Sequence, residues 1–206
     1  LNPADLNTLT PVFGGTPATD GIYKTADGKH IHGSISHVWV EGTGADRVMY
    51  TFDEDIEMDG LKNPMGLFRY DIGELNTPWE SAPSALIFDN ADKFEQNGNS
   101  TIIPDAYGWW ISQDRATDSY EIPALIHINA EGKVDFNSNA VLGGRTRGGL
   151  AFNQDMTIMA TPSDNSIRIW KVTYDDAGVP NIALDYPVTT TFGGQNNASC
   201  FSLAFD

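Results

Sequence analysis

The sequence predicts an all-β fold, made of short antiparallel strands grouped into repeated four-stranded units. Three observations predict it. The 20 Gly and 11 Pro residues cut the 206-residue chain into brief runs, the pattern of many strands joined by turns. Within those runs apolar and polar residues alternate with period two, as in Ile167, Ile169 and Lys171 against Arg168, Trp170 and Val172. A short signature recurs at Phe13-Gly14-Gly15, Leu142-Gly143-Gly144 and Phe192-Gly193-Gly194, each followed by a small-plus-apolar run, and such recurrence marks a repeat architecture.

Taken along the chain, "LNPADLNTLTPVFGG" has the character of the last strands of a unit. "DGIYKTADGKHIHGS" then aligns with "GGLAFNQDMTIMAT" as a first pair of strands. "RVMYTFDED", "GLFRYDIGE" and "SALIFDN" are further strands, the first two separated by an insertion, "IEMDGLKNP". One unit has no slot for "SALIFDN", so the register of this region stays open. The next unit runs "TIIPDAYG", "WWISQ", a polar excursion "DRATDSYE", "ALIHINAEG" and "KVDFN". The clearest unit follows, with strands "GLAFN", "MTIMATP", "SIRIWKV" and "NIALDYPV" separated by turns at 153–155, 163–165 and 176–178. "ASCFSLAFD" has the character of the first strand of another unit.

Four antiparallel strands in one meander make a propeller blade, so the expected architecture is a β-propeller with approximate blades at 16–90, 91–144 and 145–194. About three blades plus two half-blades fall short of the roughly four to eight that close a ring. The sequence reading therefore expects a partial propeller whose natural domain continues past both ends. The segment "DNSIRIWKV" resembles the third-strand motif of WD40 repeats, and "GLAFNQDMTIMATPSDNSIRIW" is similar to the repeats of NHL, YVTN and lactonase-type propellers. The Gly-His and Trp-Asp dipeptides of WD40 repeats are absent, since Lys171 follows Trp170. Long polar loops, an acidic balance and a single cysteine also resemble the propellers of bacterial surface lipoproteins from starch-utilisation-type uptake loci. That resemblance implies an extracytoplasmic protein, at the cell surface or in the periplasm, working as an accessory subunit of a membrane-associated complex.

Charge and cysteine content narrow the partners. With 28 acidic and 12 basic residues the formal net charge is −16, which opposes binding to nucleic acid or to an anionic membrane surface. No stretch approaches the ~18 consecutive apolar residues that cross a bilayer, so no direct membrane insertion by a helix is expected. The lone Cys200 excludes an internal disulfide or a multi-cysteine zinc site.

In a meander of this kind, the loops from each outer strand to the next inner strand gather with the second-to-third-strand loops at one mouth. Here these are 145–148, 195–198, 114–121 and 162–165. Arg145 and Arg147 stand out in a chain with few cations, because two guanidiniums could hold a carboxylate or sulfate by paired hydrogen bonds. Pairing with the protein's own acids is the competing reading. Asn196 joins them in the 195–198 loop as a neutral polar contact. Trp109 and Trp110 are adjacent on one strand and point to opposite faces. An exposed indole of the two would suit a sugar face or a protein interface, although burial of both is the reading preferred over it.

Other clusters carry less. The acids at 53–59, and Asp89 with Asp92, lack the spacing of an EF-hand loop. His30 and His32 share a strand face but have no clear third ligand, so neither a metal nor another cofactor is expected. No G-x-S-x-G, H-E-x-x-H, P-loop or G-x-G-x-x-G motif occurs. The expected function is a non-enzymatic binding or scaffold propeller that recognises a protein partner or glycan at its loop face. The alternative is a lactonase- or lyase-like propeller enzyme with a channel metal.

Overall fold

The computed structural model describes residues 23–24, 31–32, 35–53, 56–58, 61–62, 66–73, 84–86, 100–113, 124–138, 146, 148–162, 166–189 and 204–205. The expected all-β, antiparallel class is what these residues show. They form four 4-stranded antiparallel sheets, and the only helical turn among them is a 3-10 turn at Gly44–Asp46.

The first sheet has the order β1 (Tyr23–Lys24), β2 (Ile31–His32), β5 (Ile56–Met58), β6 (Leu61–Lys62). The second has β3 (Ile35–Glu41), β4 (Val48–Asp53), β7 (Gly66–Asp71), β8 (Ser84–Leu86). This arrangement accounts for the register left open above. The insertion "IEMDGLKNP" supplies β5, which pairs with β2 rather than extending β4, and β6, which pairs with β5, while "SALIFDN" supplies the fourth strand of the second sheet. An inserted hairpin can leave one sheet and join another because its own turn closes locally, an event that spacing along one chain does not reveal.

The third sheet is an unbroken meander of β9 (Ser100–Pro104), β10 (Gly108–Gln113), β11 (Leu125–Asn129) and β12 (Val134–Asn137). So is the fourth, with β13 (Ala151–Phe152), β14 (Ile158–Pro162), β15 (Ser166–Tyr174) and β16 (Pro180–Thr189). The four strands expected in each of these two units are present in the expected order.

Alternation along β10 explains how the sheets stack. Trp109 and Ile111 turn towards the second sheet and pack with Ile102, Ile126 and Ile128 against Val48, Tyr50, Phe52 and Leu67. Trp110 turns the other way and packs with Ala124 and Leu125 against Leu150, Met159, Trp170, Val172 and Ile182. The third sheet is thus buried on both faces. That is why β11 reads as a continuous run, with Leu125, Ile126, His127 and Ile128 all fully buried, instead of alternating. A strand with one wet face would alternate. Burying a side chain of this kind stabilises the fold by roughly 1.5–3 kcal/mol.

One end of the third and fourth sheets is closed by tight turns, each nucleated by an Asp or Asn at the end of the preceding strand. The Oδ1 of Asp105 accepts from the amides of Tyr107 and Gly108, both at 2.7 Å. Asn129 accepts from Glu131 and Lys133, Asn153 from Thr157 and Ile158, and Asp175 from Ala177 and Val179. These side chains satisfy amides that the ladders leave unpaired, which is the physical reason Asx residues initiate such turns. Gly178 in the last turn has φ +82°, and a Cβ there would lie 2.4 Å from Cδ1 of Tyr107, whose ring reaches across from the third sheet. Gly178→Ala is therefore expected to cost about 1–2 kcal/mol for the left-handed backbone alone, with a further loss as Tyr107 is displaced. Urea unfolding of G178A, with and without Y107A, checks it: removing the ring should relieve part of the penalty but not all of it.

Candidate functional site: the loop end and the buried seam

Antiparallel order sends β10 and β14 away from the tight turns, so the connections 114–123, 139–149 and 163–165 leave from the opposite end of the sheets. Residues 114–123, 139–145, 147 and 163–165 lie outside the described residues, as does the 195–198 loop, so Arg145, Arg147 and Asn196 do too. What is described is the anchor between the two arginines. Thr146 is fully buried, its hydroxyl donates to the Ala124 carbonyl at 3.2 Å, and it lies 2.8 Å from Ser112 Oγ. Ser112 also reaches the Gly149 carbonyl at 3.0 Å. Beside it, Ser138 Oγ accepts from the Leu125 amide at 3.0 Å. This neutral cluster fastens Thr146 and Gly149 to β10 and to Ala124, just before β11.

Trp109 and Trp110 do not belong to that surface. Trp109 is 9% exposed and its ring lies 4.1 Å from that of Tyr50, while Trp110 is fully buried. The exposed indole considered above is corrected by the stacking: with a sheet on each side of β10, both faces of the strand are interior. Neither tryptophan offers a ring to a ligand.

The structure instead brings together a set of polar groups inside the interface between the third and fourth sheets. Asp105, His127 and Trp110 come from the third sheet and its first turn, Asp135 from β12, and Tyr174 from the end of β15. Asp105 Oδ2 accepts from Tyr174 Oη at 2.6 Å and from Trp110 Nε1 at 2.9 Å, the same indole N–H lying 3.1 Å from Tyr174 Oη. His127 Nε2 lies 3.2 Å from Asp105 Oδ2, and His127 Nδ1 lies 2.6 Å from Asp135 Oδ1. Each position follows from local structure. His127 faces Trp110 and Phe136 across the strands, and so points at the fourth sheet. The register passes from His127–Phe136 to Ile128–Val134 and skips Asp135, a bulge that re-aims this carboxylate at the imidazole. Tyr174 continues the buried face of Trp170 and Val172 along β15.

The electrostatics follow from this geometry. Burial disfavours a charge on Asp105, but the donors from His127, Tyr174 and the Tyr107 amide outweigh it and hold the carboxyl well below the ordinary carboxylate range. Burial also disfavours a charged His127, yet its hydrogen bonds to Asp105 and Asp135 raise its pKa above the ordinary value. Burial and the bond to Asp105 push the Tyr174 hydroxyl up, against the opposing Trp110 N–H. The group is a closed network, with His127 fully buried and Asp105 2% exposed.

No motif in the sequence singles out Asp105, His127, Asp135 or Tyr174. A signal was present: a histidine inside an otherwise apolar run must find buried partners. Elsewhere, His37 on β3 is hydrogen-bonded to the backbone of Ser100, and burial holds its pKa below the ordinary value. Among the described residues no group of His, Cys, Asp and Glu side chains is arranged to hold a metal ion. No described helix is long and apolar enough to cross a membrane. Compared with known protein families, with curated proteins and with solved structures, the chain matches none.

Proposed function

We propose that this chain is a β-propeller-type binding module, working without chemistry of its own, that engages an acidic group on a protein or glycan partner through its loop-bearing end. The observation that carries the reading is the face-to-face stack of the second, third and fourth sheets in chain order, with both faces of β10 buried. Radially stacked meanders of this kind are the building plan of propellers, whose connections at one end form the recognition surface. The buried titratable groups support it as well, since their hydrogen bonds are used in holding two sheets together.

In the sequence Arg145 and Arg147 flank Thr146, which is buried and hydrogen-bonded. Charge-assisted hydrogen bonds from a guanidinium contribute about 1.5–3 kcal/mol each. With both indoles buried, sugar stacking drops out of the reading and a carboxylate or sulfate becomes the recognised feature, with Asn196 as an additional contact. The resemblance to surface lipoprotein propellers supports an extracytoplasmic setting, as an accessory subunit of a membrane-associated complex.

The test is binding to arrayed sulfated and carboxylated glycans and to acidic peptides. Changing Arg145 or Arg147 to Ala should weaken a saturable interaction roughly tenfold or more, with weaker binding at high salt. Wild-type affinity in both variants and in N196A would remove this end as the site. Stoichiometric Ca²⁺ or Zn²⁺ in the purified protein would instead favour the lactonase-like alternative.

A further inference from the structure

We propose that the seam between the third and fourth sheets is a proton-dependent latch, closed while His127 is an imidazolium and loosened at the tight-turn end when it loses its proton. The argument starts from donor count. Both ring nitrogens of His127 face carboxylate oxygens, Nδ1 facing Asp135 and Nε2 facing Asp105. Ionised carboxylates only accept hydrogen bonds, so both nitrogens must donate, and only imidazolium has two N–H groups. Asp105 is itself committed to the ionised state by the donors it receives from Tyr174, Trp110 and two backbone amides.

Neutral imidazole would turn a lone pair towards one of the two carboxylates. It would also leave Asp105 and Asp135 as two negative charges without the cation between them, and a buried charge that loses its partner is strongly unfavourable. The groups facing His127 are Asp105 from the first turn of the third sheet, Asp135 from β12, Tyr174 from β15 and the uncharged Trp110 from β10. Tyr174 is the strand-end residue that ties this cluster to the fourth sheet. Loosening Asp105 therefore releases the cross-sheet bond as well as the turn. The other end of the same seam is fastened by Ser112, Thr146 and Gly149 through neutral groups that do not titrate. The latch thus opens from one end only.

The sign follows from linkage. A histidine whose pKa is raised by folding contributes stability that is fully present below its unfolded value of 6.5 and is lost as pH rises through the folded value. Asp105, held low, contributes across the same range and fails only in strong acid. The latch is closed in mild acid and opens as pH rises from 6.5 through the raised His127 midpoint.

The test uses the wild-type chain. Side-chain ¹⁵N NMR, with H127Q for assignment, follows the His127 ring, while hydrogen exchange follows amide protection. Expected is a His127 midpoint above 6.5, with both ring N–H groups present below it. Between pH 6.5 and that midpoint, protection at the Tyr107 and Gly108 amides should fall by up to about tenfold per pH unit after correction for base-catalysed exchange and level off above it, while the Leu125 amide stays protected. A midpoint at or below 6.5 overturns the proposal, as does unchanged protection at Tyr107 and Gly108 across a high midpoint. In D135N the midpoint should drop, because one of the two carboxylates is gone. An unmoved midpoint would overturn the two-carboxylate hold, and if D135N does not fold the wild-type titration alone decides.

Discussion

Asp105→Ala is expected to destabilise the protein by about 3–5 kcal/mol, a large part of the roughly 5–15 kcal/mol that holds a domain folded. The loss is not that of one hydrogen bond. Asp105 receives the Tyr174 hydroxyl, the Trp110 indole N–H, the Tyr107 and Gly108 amides and His127, and it is 2% exposed. Its removal strands an imidazolium and several buried donors at once, and water has little access to replace the carboxylate. Urea or thermal unfolding at pH 6 and pH 8 measures the effect. The wild-type minus variant difference should be larger at pH 6, where His127 carries the charge that Asp105 compensates. Asp105→Asn should cost less, since the amide oxygen still accepts while the charge is absent. A D105A protein as stable as wild type would show that the network contributes nothing to the fold.

Trp110→Ala is expected to cost about 3–5 kcal/mol by a different route. The indole is fully buried, with ring centroids 5.5 Å from Phe136 and 5.6 Å from Phe152, and it fills the space between the third and fourth sheets beside Trp170. Truncation leaves a cavity between two sheets whose backbones are held by ladders and cannot close on it. Trp110→Phe should recover part of the loss, keeping some ring contact but leaving Asp105 with one donor fewer. Denaturant midpoints of the two variants read this directly, and a loss below about 1 kcal/mol for W110A would contradict the burial described. Asp105 and Trp110 share a hydrogen bond, so D105A/W110A should cost less than the two single changes combined.

The two tryptophans show where sequence reasoning stops. Adjacency on one strand established that they face opposite ways, and period two allows no other outcome. Whether the second face is wet depends on a neighbouring sheet, and no local pattern carries that information. "SALIFDN" and "IEMDGLKNP" make the same point for register, since which sheet a short strand joins is a choice among edges far apart in the chain. The arginine loop was legible as a rarity of charge, and the structure adds the anchor at Thr146 that no motif announced.

His127 was visible as a polar residue in an apolar run, but its partners come from three other elements, one of them on the next sheet. Hydrogen bonds between groups as distant as Asp105 and Tyr174 have no signature in composition or spacing. By itself, then, the sequence determined the all-β class, the strands and their order in the two C-terminal meanders, and the turns at 153–155 and 176–178. Those are properties of near neighbours, set by side-chain periodicity and by Asx and Gly turn chemistry. Only the tertiary structure decided which faces are dry, how the N-terminal strands divide between two sheets, and that a histidine would be held between two carboxylates. Each of those depends on what another sheet presents across the interface.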